Sequence, residues 1–252
     1  MKNGLNVTIE AWSAWAPGVE TAEQWQEWAH GLRIIKNEGS PSTPFLSPMF
    51  RRRLSRLSKM ALKVAHDCVP DIKSIKTVFC SRRGELVRSF GLLREIVAAK
   101  PISPTGFSMS VHNTASGLFS IARKDTASST AIAAGKATFE SAFMEAAALL
   151  KTQQAKIVLL VISDEPAPVP FNEYQDEKEQ IYAAAFLLSN SGVGDVIALS
   201  MKTGQIYGAP DFQEQHALTF LRFFLNFNLN KKNEHELLIP GERISWQWTR
   251  LC

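Results

Sequence analysis

Cys80 ends the apolar run IKTVFC and is followed directly by Ser81-Arg82-Arg83-Gly84. A thiol so placed could ionise if the guanidinium groups lay against it, because neighbouring cations favour the nucleophilic thiolate. The same placement also describes an ordinary buried strand cysteine, since free cysteine is among the most buried residue types. His112-Asn113 could polarise a carbonyl, or form a hydrogen-bonded pair in a packed region. His66 and Cys68 stand two residues apart with nothing else of ligand type nearby, and the other histidines are isolated, so no metal site is expected. The phosphate loops G-x-x-x-x-G-K-S/T and G-x-G-x-x-G are missing, which excludes nucleotide binding by those routes. G-x-S-x-G is missing too and leaves no serine at a hydrolase elbow. Arg52, Arg56, Lys59 and Lys63, spaced by four, three and four, make the clear basic cluster. It reads either as a solvated helix face or as a surface that steers an acidic partner.

These residues need elements to position them. LNVTIEAW alternates apolar and polar residues and is a strand; Thr21 with Gln24 then caps a short helix that carries Trp25 and Trp28 one turn apart. Residues 37–48 are rich in Pro, Ser and Gly and form a surface connection. From Met49 to Ala65 the apolar positions recur at threes and fours, predicting one helix with the basic cluster on its opposite face. IKTVFC is a strand, GELVRSFGLLREIVAA a helix stopped before Pro101, and residues 101–131 a functional connection without sustained period. AAGKATFESAFMEAAALL, apolar nearly all round, predicts a buried helix, and KIVLLVIS a strand covered on both faces. A Pro-rich loop, the apolar run IYAAAFLLS, a strand at DVIALSM, a helix through Leu218, Leu221, Phe224 and Leu225, and the alternating RISWQWTR complete the chain. The order argues for a layered α/β fold, a mixed β-sheet with a buried central helix.

Length and composition bound the rest. With 252 residues, 45% hydrophobic and 21% charged, the chain can bury a core, leaves little room for disorder, and is expected to form a single domain over 1–252. Cys68, Cys80 and Cys252 are too few and scattered for a disulfide framework, so reduced thiols are expected. No apolar run approaches the roughly 18 residues of a membrane span, and the start lacks a secretory h-region, so a cytoplasmic protein without a membrane span is expected. The net charge of +4 is only mildly basic, and nucleic acid is not an expected partner.

SMSVHNTASGLFSIA, then SSTAIAAGKATFESAFMEAAALL and IVLLVISDEP, resembles the N-terminal half of β-ketoacyl synthases. IEAWSAWAPG, RRRLSRLSKMAL, FCSRRGE with GLLREI, PISPTGFSMSVHN and the terminal SWQW narrow the resemblance to chain-length-factor subunits of aryl polyene pathways. It implies a truncated, half thiolase-like fold. Active members carry their nucleophile in a Ser-Thr-Ala-Cys type segment at the turn into the buried helix, where the helix dipole stabilises a thiolate. The matching segment here is Ser129-Thr130-Ala131-Ile132, and isoleucine cannot be a nucleophile. The two family histidines belong to a C-terminal half that this sequence is not expected to build. The resemblance therefore implies a non-catalytic subunit without cofactor, paired with a catalytic β-ketoacyl synthase subunit as a heterodimer or larger assembly, in polyunsaturated carboxylic acid biosynthesis.

It further implies that Thr126 to Ala131, including Ser128, Ser129 and Thr130, is the strand along the twofold axis. Phe107, Met109, Val111, His112 and Asn113 would line or cap the acyl tunnel, with Phe139 and Phe143 as further candidates unless they simply pack the core. An acyl carrier protein bearing the growing polyene chain would dock on Arg52, Arg56, Lys59 and Lys63. Two alternatives stay open: a Cys80-dependent acyltransferase or thioesterase, and a scaffold that only stabilises a ketosynthase.

Overall fold

The alternating segment near the start forms β1 (Leu5–Trp15), with a register irregularity between Ile9 and Ala11. A computed structural model describes residues 5–69, 71–191, 193–203, 214–226, 235–241 and 244–251. The Thr21 capping box starts α1 (Ala22–Ala29) as its sequence requires. The single helix expected from Met49 is instead two, α2 (Pro48–Arg51) and α3 (Arg56–Cys68). Ser55 separates them in extended conformation, its side chain accepting the Ser58 N–H, so the local cap overrides an apolar spacing that runs on through the break.

β2 (Lys76–Cys80) leads to α4 (Leu86–Val97). The stretch 101–131, expected as an irregular connection, holds α5 (Pro104–Ser108), α6 (Thr114–Arg123) and most of β3 (Ser129–Ile132). Ser103 caps α5 and Lys124 ends α6 in the left-handed region, so caps punctuate elements too short to show a period. α7 (Thr138–Lys151), β4 (Ile157–Asp164), β5 (Tyr182–Ser189), β6 (Asp195–Thr203), α8 (His216–Leu225), β7 (Glu236–Ile239) and β8 (Ile244–Leu251) follow.

The eight strands form one mixed sheet in the order β3-β2-β4-β5-β1-β6-β8-β7. β3, β2 and β4 are parallel and the remaining neighbours antiparallel. Helices cover both faces, which explains the two uninterrupted apolar strands. In β5, Tyr182, Ala184, Phe186 and Leu188 face a core shared with α1, α7 and α8, while Ala183, Ala185 and Leu187 face one shared with α3 and α6. No residue of α4 is buried, although the helix is amphipathic; Leu93, Ile96 and Val97 stand 54%, 54% and 88% exposed. Among the described residues no helix is long and apolar enough to cross a membrane.

Candidate functional site

The carboxyl ends of the three parallel strands bring Cys80, Ile132 and Asp164 to one edge of the sheet, the place where open α/β sheets bind ligands. Cys80 and Ile132 are paired in register, and the Ser81 N–H donates to the Ile132 carbonyl at 3.2 Å. Ile132 is half-buried and packs toward α7, but stands six residues before that helix begins at Thr138. Gly135, at φ +60°, starts the intervening 3-10 turn Gly135–Ala137. The position expected to carry a nucleophile thus holds an aliphatic side chain at a strand end.

Cys80 is buried, and its thiol is pushed well above the ordinary range by that burial, then by the carboxylates of Asp164 and Glu140. Arg82 and Arg83, expected as its activators, turn away. Arg82 donates to Glu177 at 2.6 Å and Asp176 at 2.8 Å, and Arg83 to Glu179 at 2.6 Å. Lys136 adds a bond to the Asp176 carbonyl at 3.0 Å, so the 174–180 segment is clamped over the strand ends. The basic run SRRG and the acidic run QDEKEQ are the two halves of this clamp. Only the first is conspicuous in the sequence.

Asp164 is the polar centre of the edge. It accepts the Ser81 hydroxyl and the Arg82 N–H, both at 2.8 Å, while Ser81 Oγ accepts the Gly84 N–H at 2.8 Å. Burial lifts its carboxyl to about 7 despite those donors. An unfolded aspartate loses its proton near pH ~3.9, so between that pH and about 7 the native state keeps a proton the unfolded chain has released. Stability contributed at this group therefore falls as pH rises through the window, by about 4 kcal/mol. Asp164→Asn keeps an acceptor oxygen and removes the titration. Urea unfolding should show the variant gaining on the wild type by about that amount between pH 4 and 8; parallel profiles would refute the assignment.

The residues expected at a tunnel are brought together, and they face outward. Phe107 is 63% and Val111 50% exposed, while Met109 is half-buried against the α3–α6 core. His112 and Asn113 are both exposed. His112 Nε2 lies 2.9 Å from the Ser81 carbonyl, and its ring covers Gly84 so closely that a Cβ there would sit 2.8 Å from Cδ2. Gly84 also has φ +54°, so glycine is required on both counts. Phe139 and Phe143 are each 1% exposed and pack on Trp248 at 5.6 and 4.8 Å; the structure assigns both to the core.

The basic cluster is dispersed. Arg52 caps α2 rather than lying on α3; Arg56 pairs with the buried Glu165 at 2.7 Å, and Lys63 with Asp67. Ser55 and Ser58 donate to buried Glu85 at 2.6 and 2.7 Å, a further anchor of the helix break. The expectation of one free cationic face fails because its members stand on two helices and two of them have carboxylate partners. The Ser129 Oγ accepts the Thr77 hydroxyl at 2.7 Å. Thr126 and Ser128 precede the strand, in a turn where Asp125 accepts the Ile75 and Ala127 N–H groups at 3.2 and 2.9 Å. Among the described residues no group of three metal-ligating side chains occurs.

A family model for the β-ketoacyl synthase N-terminal domain matches residues 25–249. The chain belongs to this family. This ketosynthase-type chain is similar to a solved ketosynthase (ApeO) in complex with its chain length factor (ApeC) from Xenorhabdus doucetiae. The match has 26% identity and TM-score 0.82 and covers 97% of this chain and 99% of that one. The ishigamide ketosynthase/chain length factor shares the fold at 16% identity and TM-score 0.63, over 79% of this chain and 67% of that one. Ketosynthase twelve of the bacillaene polyketide synthase from Bacillus amyloliquefaciens shares it at 12% identity and TM-score 0.58, over 82% of this chain and 47% of that one. No curated protein matches the chain. The mixed eight-stranded sheet between helices is thus the half thiolase-like architecture of ketosynthases.

Proposed function

We propose that this chain is a non-catalytic chain length factor, a single domain over 1–252, which pairs with an active β-ketoacyl synthase and shapes the acyl tunnel in aryl polyene biosynthesis. The observation that carries the pairing is the end-to-end match with a chain from a ketosynthase–chain length factor complex. Ile132 supports the non-catalytic part, because a side chain without a lone pair cannot take an acyl group from a carrier thioester. Two surfaces support a partner. The outer edge of β3 is unpaired among the described residues, an invitation to strand addition. The apolar side chains of α4, with Phe107 and Val111, remain in water, the kind of patch that marks an interface.

In this reading Phe107, Met109, Val111, His112 and Asn113 close the tunnel from the partner's side, and chain length is set because added carbons cannot enter filled volume. The carrier protein delivers the growing chain, with Arg52 and Lys59 as the members of the basic cluster that have no carboxylate partner among the described residues. The test is co-expression with the ketosynthase. Phe107→Trp and Met109→Trp should shorten the dominant product by roughly one extension step while the complex still forms. Unchanged products from an intact complex would favour a purely stabilising scaffold. The buried, protonated Cys80 weighs against the acyltransferase alternative.

A further inference from the structure

On the opposite end of the parallel strands from the Cys80 edge, two cavities adjoin. The first, about 300 Å³, lies between the second half of α3 and the end of α6 and is floored by Phe45, Leu46, Leu62 and Phe119. That is the lower end of the range in which small molecules bind. Its walls are preorganised. Phe45 and His66 stack with ring centroids 3.9 Å apart and planes within 9°. The Arg123 guanidinium lies over Phe119 at 5.3 Å and is fixed by the carbonyls of Val69, at 2.8 Å, and Ile72. Burial holds the His66 imidazole toward its neutral form, helped by Arg123 and Lys63 and opposed by Asp67 and Asp71.

The second cavity, about 370 Å³, shares Lys73 and Arg123 with the first and adds Ser74, Lys124, Asp125 and Thr126. Asp125 spends both carboxylate oxygens on backbone N–H groups, and Lys73 and Lys124 form no ion pair among the described residues. An aromatic-walled compartment, which carries Asp71 and His66 beside its apolar floor, therefore opens into one lined by Lys73, Arg123, Lys124, Ser74 and Thr126, whose one carboxylate, Asp125, is engaged by backbone N–H groups.

We propose that these adjoining cavities form one binding site for a small amphiphilic anion, its acyl or aryl body in the first compartment and its carboxylate or phosphate in the second. The lining selects the occupant: a neutral apolar molecule would gain nothing from the exposed Lys73 and Lys124, and a bare anion would leave the aromatic compartment unfilled. The site does not rest on the ketosynthase reading, although Thr126, in its second compartment, belongs to the segment expected along the twofold axis.

Titration calorimetry of the full chain, or of its complex if that is the form isolated, with octanoate, octyl phosphate, octanol and inorganic phosphate tests it. At least one octyl anion should bind, about tenfold more tightly than octanol, with inorganic phosphate undetectable. Which octyl anion binds more tightly distinguishes a carboxylate occupant from a phosphate ester. Lys73→Glu should weaken binding about fivefold. Ala122→Trp, at an exposed wall position of α6, should abolish binding while leaving the far-ultraviolet circular dichroism unchanged. Equal affinity for octanol, no binding of either anion, or binding that survives Ala122→Trp in a folded variant would overturn the proposal.

Discussion

Ala131→Pro is expected to leave this chain folded and to weaken its association with the ketosynthase by at least about 100-fold. The reason lies in backbone alternation. Thr77 N–H donates to the Ser128 carbonyl and Ser81 N–H to the Ile132 carbonyl, so every second residue of β3 turns its polar groups toward β2. Thr130 shares that orientation, and Ser129 and Ala131 present theirs to the open edge. Proline at position 131 therefore removes no hydrogen bond within the chain, a situation in which an edge strand tolerates it. Against a partner strand about 4.8 Å away it deletes a donor and adds a ring, together about 3 kcal/mol. Thr130→Pro is the control: it breaks the ladder to β2 and should destabilise the chain itself. Pull-down of tagged ketosynthase reads both. Undiminished recovery of the Ala131→Pro chain would remove β3 from the interface.

Phe139→Ala should lower stability by about 4 kcal/mol and leave product length unchanged. Phe139 sits 1% exposed at the meeting of three aromatic neighbours, with centroid distances of 5.0 Å to Phe220, 5.6 Å to Trp248 and 5.8 Å to Phe186. Its loss opens a cavity between α7, α8, β5 and β8, and a close-packed interior refills such space only in part. Urea unfolding measures the first outcome. Phe139→Leu, which keeps most of the volume, carries the second to a folded complex whose products can be compared. A changed product length there would return Phe139 to the tunnel.

β4 and β5 were legible from sequence because strands covered on both faces need no polar residue, and uninterrupted apolar runs follow. The Thr21 capping box was legible because its two partners lie three residues apart. The helix break at Ser55 was hidden: Leu54 and Leu57 continue the three-residue apolar spacing across it, while the Glu85 that accepts the Ser55 hydroxyl lies 30 residues downstream. Separation also hid the clamp on the strand ends. Arg82 and Arg83 meet acidic partners 94 to 96 residues later, and no local pattern announces a pairing at that range. The expectation that Ile132 stands where active ketosynthases carry their nucleophile rests on the resemblance of its neighbours Ser129-Thr130-Ala131. The structure adds that Cys80, its register partner, is buried, with its thiol pushed well above the ordinary range.

On the proposed function, the acyl group resides on the ketosynthase subunit and never on this chain. Intact-mass measurement of the purified complex, after incubation with an acyl carrier thioester, tests it most directly. The acyl mass is expected on the ketosynthase subunit alone, with this chain unmodified. An acyl adduct on this chain that disappears in Cys80→Ala would contradict it.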